Sequence, residues 1–143
     1  MNSISHMMIF CRDQDEAKAF YTEKIGLECT SDTPMGPDLR WLTFSLPDQA
    51  DFNLCVMPTG AGPYGPDVKR RQDELLALGG TMGGVLATDD CRRDFEQLRS
   101  RGVEFTEEPE DRFYGIDCGF RDPSGVPWRL TQTHDVMRAP DEA

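Results

Sequence analysis

The second half of this 143-residue chain repeats the layout of its first half in a register that can be counted. Asp13 and Asp90 stand 77 residues apart. Gly26-Leu27-Glu28 and Gly102-Val103-Glu104 stand 76 apart, as do Asn53-Leu54 and Arg129-Leu130, so one residue is lost inside the second copy's helix. Duplicated units bury their faces against each other, and the expectation is a pseudo-twofold molecule with a cleft where two sheets meet.

Each copy reads as strand, helix and three strands. Ile4 to Cys11 is apolar on both faces and predicts a strand between a helix and a cavity. Asp13 then offers a carboxylate N-cap with Glu16 three residues on, and Ala17, Phe20, Tyr21 and Ile25 follow at helical spacing up to a stop at Gly26. Strands are expected at 27–33, 39–46 and 51–57, separated by Pro34-Met35-Gly36-Pro37 and Pro47-Asp48-Gln49-Ala50. A Gly/Pro-rich linker and a connector helix over 67–78 end at Gly79-Gly80. The second copy predicts a strand over 82–88, a helix capped by Asp90 with Cys91, Phe95 and Leu98 on one face, and a stop at Gly102 before Val103-Glu104-Phe105. Strands over 112–121 and 126–132 are joined by Asp122-Pro123-Ser124-Gly125, whose residues suit a type I turn. The organisation expected is one domain over 1–133, with module one at 3–58, linker and connector helix at 59–80, module two at 81–133, and a polar tail at 134–143 that contains His134.

Composition narrows the partners. Apolar residues make up 38% of the chain, an ordinary share for a globular protein. Fifteen basic against 26 acidic residues give a net charge of −11, a field that repels phosphate backbones and anionic lipid, so no nucleic-acid or membrane partner is expected. No apolar run approaches the length of a membrane helix and the opening residues lack a signal-peptide pattern, which predicts a cytoplasmic protein. Five cysteines, odd in number and never in a Cys-x-x-Cys pair, form neither a disulfide framework nor a zinc motif, and four of them are expected as small buried hydrophobes. There is no Gly-x-Ser-x-Gly elbow and no Gly-rich phosphate loop, and Glu107-Glu108-Pro109-Glu110-Asp111 reads as a solvated turn.

Ser5-His6-Met7-Met8-Ile9-Phe10, then Asp13, Ala17, Phe20-Tyr21 and Ile25-Gly26-Leu27-Glu28, are matched in the second half by Asp90, Phe95, Leu98, Gly102-Val103-Glu104-Phe105, Phe120 to Gly125 and Leu130. In that order and spacing the chain resembles the vicinal oxygen chelate superfamily, which holds glyoxalase I, extradiol dioxygenases and the bleomycin and fosfomycin resistance proteins. The resemblance spans about residues 3–132. It implies an α+β fold of two tandem βαβββ modules, their mixed sheet U-shaped like half a barrel, with helices on the convex face and the substrate on the concave one. It also implies a divalent metal held from the first and last strand of each module, and those positions map here to His6, Asn53, Gly83 and Arg129.

Of these four, only His6 offers a good ligand; Asn53 has a weak neutral carbonyl, Gly83 has no side chain and Arg129 carries a fixed positive charge. No cofactor is therefore expected. Period-2 alternation puts Met8 and Phe10 on the face of His6, and Cys55 and Met57 on that of Asn53, as the floor of an adaptable apolar pocket or as plain core. Tyr114 precedes Gly115 in a strand that lines the cavity of similar proteins. Trp128 should point into the sheet–helix core, opposite Arg129. Arg129 is expected either to anchor an anionic ligand head or to be occupied by an internal partner such as Asp51 or Asp117. The ligand-contact set is thus His6, Met8, Phe10, Asn53, Met57, Tyr114 and Arg129. The function expected is metal-independent binding of a small organic molecule. The alternatives are a lyase-like, isomerase-like or dioxygenase-like enzyme, with unconventional metal ligands or with His6 or Tyr114 as acid–base group, and a regulatory module with a vestigial cleft. The resemblance further implies a homodimer.

Overall fold

The computed structural model describes residues 1–134. The expected tail lies outside the described residues apart from His134, whose backbone N–H donates to the Tyr114 carbonyl at 2.9 Å and lengthens the last ladder. By its contacts the chain divides into two compact units, 1–82 together with 122–126, and 83–121 together with 127 onward.

In the first unit β1 (His6–Cys11) leads into α1 (Gln14–Ala19), where the Asp13 carboxylate accepts from the Glu16 N–H at 2.8 Å as a cap should. The helix then widens into a π-helical turn, Phe20–Ile25, and stops at Gly26 in the left-handed conformation, φ 90°. Ala17, Phe20 and Tyr21 are buried as expected, but Ile25 is only half-buried and Leu27 takes the inner place. The wider turn is the reason: it adds a residue per hydrogen-bonded ring and rotates Ile25 off the stripe that a regular α-helix would bury. β2 (Glu28–Pro34), β3 (Arg40–Ser45) and β4 (Asn53–Pro58) complete a sheet of order β1-β4-β3-β2, parallel only at β1/β4. Ile9, Leu42, Phe44, Leu54 and Val56 form the core face, with the rings of Tyr21 and Phe44 5.6 Å apart. Each such buried side chain contributes about 1.5–3 kcal/mol. The β3/β4 ladder pairs only two residues, and the buried Gln14 amide stands in beyond them. It donates to the carbonyls of Arg40 at 2.8 Å and Val56 at 3.0 Å and accepts from the Arg40 N–H.

The connector helix α2 (Pro66–Ala77) starts on proline and is followed by Gly79 at φ 69°. The turn 122–126 belongs to this unit as well. Asp122 is buried there and accepts from the Tyr21 hydroxyl at 2.6 Å and from the N–H groups of Ser124 and Val126 at 2.9 Å. The Ser124 hydroxyl accepts from the Arg12 N–H at 2.8 Å.

The second unit holds β5 (Val85–Ala87), α3 (Cys91–Ser100), β6 (Glu104–Phe105), β7 (Glu110–Arg112), β8 (Gly115–Arg121) and β9 (Pro127–Thr133), in the order β5-β9-β8-β6 with β7 also on β8. Cys91, Phe95 and Leu98 of α3 are buried, and Trp128 lies inside, stacked on Phe120 at 6.3 Å. Three expectations need correction. The strand expected over 82–88 is only three residues long, because Gly83 and Gly84 precede it and a Cβ at Gly84 would stand 2.7 Å from the Trp128 ring. The single strand expected over 112–121 is a tight hairpin, since Gly115 at φ 151° breaks the run and puts Phe113-Tyr114 in a turn. Finally, the acidic run 107–111 is not all solvated turn: Glu110 and Asp111 open β7, and Glu107 is engaged as described below.

Each sheet thus carries its helix on one face, giving a mixed α+β fold of two open sheets. Cys11, Cys55, Cys91 and Cys118 are buried and Cys29 is exposed, all as free thiols. Burial pushes Cys11 and Cys118 up to about 12, so these two are not thiolates near neutral pH. Among the described residues no helix is long and apolar enough to cross a membrane.

Candidate functional site

The parallel register of β1 on β4 pairs His6 with Asn53, Met8 with Cys55 and Phe10 with Met57. Since side chains alternate along a strand, five of the expected residues, His6, Met8, Phe10, Asn53 and Met57, share the face of this sheet turned away from α1. Met8 is 61% exposed and the other four are half-buried, so the face is apolar and accessible. Trp41, from β3, belongs to it as well, its ring 5.5 Å from that of His6. Sequence reading missed Trp41; placing it on this face needs the β3/β4 register, in which Thr43 opposes Cys55.

Two threonines were missed too. The β2/β3 register shifts between Cys29 and Ser31, and the extra residue of this bulge is Thr30. A bulge puts two consecutive side chains on nearly the same side of a strand, and so brings Thr30 round onto the face of Thr43. The two hydroxyls lie 2.6 Å apart, and the Thr30 hydroxyl donates to Asn53 Oδ1 at 2.7 Å. His6 Nδ1 pairs with the Ser5 hydroxyl at 2.9 Å.

Tyr114 and Arg129 meet in the second unit, on Asp117. β8 and β9 pair Asp117 with Thr131 and Gly119 with Arg129, which sets Asp117 and Arg129 on one face. The Asp117 carboxylate, 2% exposed, accepts from Tyr114 at 2.6 Å, from Thr131 at 2.8 Å and from the Arg129 guanidinium. Arg129 crosses above Gly119, where a Cβ would stand 2.6 Å from Nη1, and also pairs with Glu107. Arg112 approaches both carboxylates, at 3.4 Å from Glu107 and 3.6 Å from Asp117. Burial alone would raise the Asp117 pKa; the donors from Arg129, Tyr114 and Thr131 outweigh it and hold the group below the usual carboxylate range. The hydrogen bond to Asp117, helped by desolvation, pushes the Tyr114 phenol up. Asp117 is therefore the internal partner of Arg129, and Asp51 is not.

The divalent metal implied by resemblance can be tested on these donors. The register opposite Arg129 is held by Val85, as His6 is held opposite Asn53, so the fourth position is Val85 and not Gly83. The chain gains two residues before β5, which a constant offset of 77 could not register. A methyl-bearing side chain, a guanidinium already paired with two carboxylates, an amide whose oxygen accepts from Thr30 and one imidazole do not make a metal shell. Among the described residues no group of three or more His, Cys, Asp or Glu converges as a cation site.

The comparisons agree with this architecture. The solved structure of UcmS2 is 37% identical over 93% of this chain and 99% of its own, with a TM-score of 0.86. TnmS3, described as an antibiotic-binding protein from Streptomyces sp. CB03234, is 28% identical over 94% of this chain and 98% of its own, with a TM-score of 0.73. Among curated proteins, the uncharacterized protein YurT of Bacillus subtilis is 37% identical over 103 residues, 71% of this chain and 76% of its own. The family model matches residues 3–130, and with the duplicated strand-helix-strand layout it shows that the chain belongs to the Glyoxalase/Bleomycin resistance protein/Dioxygenase superfamily.

Proposed function

We propose that this protein binds a small, largely apolar organic molecule on the open face of its first sheet, without a metal ion, in the manner of a sequestering protein. The observation that carries the reading is the accessible face itself, where Met8, Phe10 and Met57 lie with the neighbouring His6 and Trp41 rings. Thioether and aromatic side chains supply polarisable contact area that adapts to a ligand's outline. The likeness to TnmS3 supports a ligand of the antibiotic kind. His6, Met8, Phe10, Asn53 and Met57 touch the ligand in this reading. Tyr114 and Arg129 are held on Asp117 in the second unit, where the guanidinium's charge is already balanced by two carboxylates and is not available to anchor an anion. The protein acts as a homodimer in the cytoplasm, a reducing setting that suits five free thiols.

Native mass spectrometry of protein purified without a polyhistidine tag tests the function, followed by titration with hydrophobic antibiotics. A bound organic molecule, or a saturable rise in melting temperature that Trp41→Ala abolishes, is the expected outcome. Stoichiometric metal bound through His6, or turnover of the added compound, would replace this reading with the enzymatic one. In that case His6 would be the acid–base group, since the Tyr114 proton is held by Asp117.

A further inference from the structure

The hydroxyl chain on the first sheet has only one consistent direction. Thr43 is 2% exposed and its hydroxyl has no partner among the described residues other than Thr30. If Thr30 donated to Thr43, the Thr43 proton would be buried without an acceptor, at a cost that native structures avoid. Thr43 therefore donates to Thr30, and Thr30, with a single proton, donates onward to Asn53 Oδ1. The amide of Asn53 is fixed by this relay, and its Nδ2 donors, which have no partner among the described residues, stand on the face shared with His6 and Met8.

We propose that the Thr43–Thr30–Asn53 relay turns the position of a metal ligand into an oriented hydrogen-bond donor that selects a neutral ligand bearing a carbonyl-type acceptor beside its apolar rings. This rests on the ligand-binding reading above and adds to it the chemical class of the ligand's polar group. A carbonyl oxygen accepts from the Nδ2 protons, whereas an ammonium or any other group that can only donate meets those protons head-on, and one lone pair of the amide oxygen is already taken by Thr30. Thr30 is a positioning residue: the bulge sets its place and it acts through Asn53.

The test uses two probes of one shape, 9-fluorenone and fluorene, with affinities taken from quenching of tryptophan emission or from calorimetry. The wild-type protein should bind the ketone about tenfold more tightly than the hydrocarbon, the effect of one good hydrogen bond. Thr30→Val keeps the β-branched shape and should bring the ratio to about one; Thr30→Ser should restore the preference. Asn53→Asp puts an acceptor where the donor stood and should invert the ratio, an independent readout if Thr30→Val fails to fold. Equal binding of both probes by the wild type, or a ratio that survives Thr30→Val, overturns the relay's role while leaving the binding face standing. Absence of saturable binding for both probes overturns the binding reading itself, and the relay's role with it.

Discussion

Arg129 shows how one side chain can be read correctly for charge and incompletely for partners. Removing it leaves Asp117 buried beside a half-empty set of donors, with Tyr114 and Thr131 still in place. Arg129→Met should therefore destabilise the fold by about 1–3 kcal/mol in urea denaturation, reduced from the cost of a fully buried pair because the guanidinium is partly exposed. Affinity for an anionic probe should barely change. The pH dependence has a definite sign. The folded Asp117 pKa lies below its unfolded value, so its contribution is fully present above the ordinary carboxylate range and is lost as pH falls through the lowered folded value. A stability profile of Arg129→Met against wild type should show the gap narrowing on acidification below about pH 4. Asp117 was foreseeable as a partner because acidic neighbours abound in a chain of net charge −11, but Glu107 was not. It sits in a run of carboxylates, and only the fold selects which of them turns inward.

At the scale of elements, periodicity located nearly every strand and helix, and irregularities set the rest. The caps at Asp13 and Asp90 and the stops at Gly26 and Gly102 were legible because capping chemistry is local. The π turn, the bulge at Thr30 and the two residues gained before β5 were not, because each is a slip of register that pairing with a neighbouring strand or helix fixes. That is also why Trp41 and Thr30 escaped the candidate site, while His6, Met8 and Phe10, on one regular strand, did not. The β7/β8 hairpin gives a sharp test. A Cβ at Gly115 would lie 2.0 Å from the Gln132 carbonyl oxygen, at a φ of 151° that side chains rarely adopt. Gly115→Ala should cost at least about 2–3 kcal/mol in chemical denaturation. The turn at Asp122 behaves differently. Burial raises this carboxyl's pKa despite its donors, so the charged form weighs on stability at neutral pH. Asp122→Asn keeps an acceptor for the Ser124 and Val126 N–H groups and should alter stability at pH 7 by less than about 1 kcal/mol. As pH falls through the raised pKa the wild type should gain on this variant, because its folded state takes up the proton first.

For the whole molecule, two measurements bear on the proposed function. Light scattering at micromolar concentration should return twice the chain mass; a monomer across that range would contradict the homodimer. Zinc, nickel, manganese or iron(II) in excess should move the melting temperature by no more than about 2 °C, since occupancy of a native site at a thousand times its dissociation constant would add about 4 kcal/mol. A large shift abolished by His6→Ala would mean that the donor chemistry of His6, Asn53, Val85 and Arg129 had been misjudged. The placement of residues 122–126 within the first unit also bears on synthesis. A nascent chain that has emerged only as far as Met82 still lacks Asp122, which accepts from the Tyr21 hydroxyl, and Ser124, which accepts from the Arg12 amide. On the ribosome the first unit therefore lacks these two acceptors until residues 122–126 have emerged. A gene cut between the halves should yield two fragments that reach their native state only when produced together.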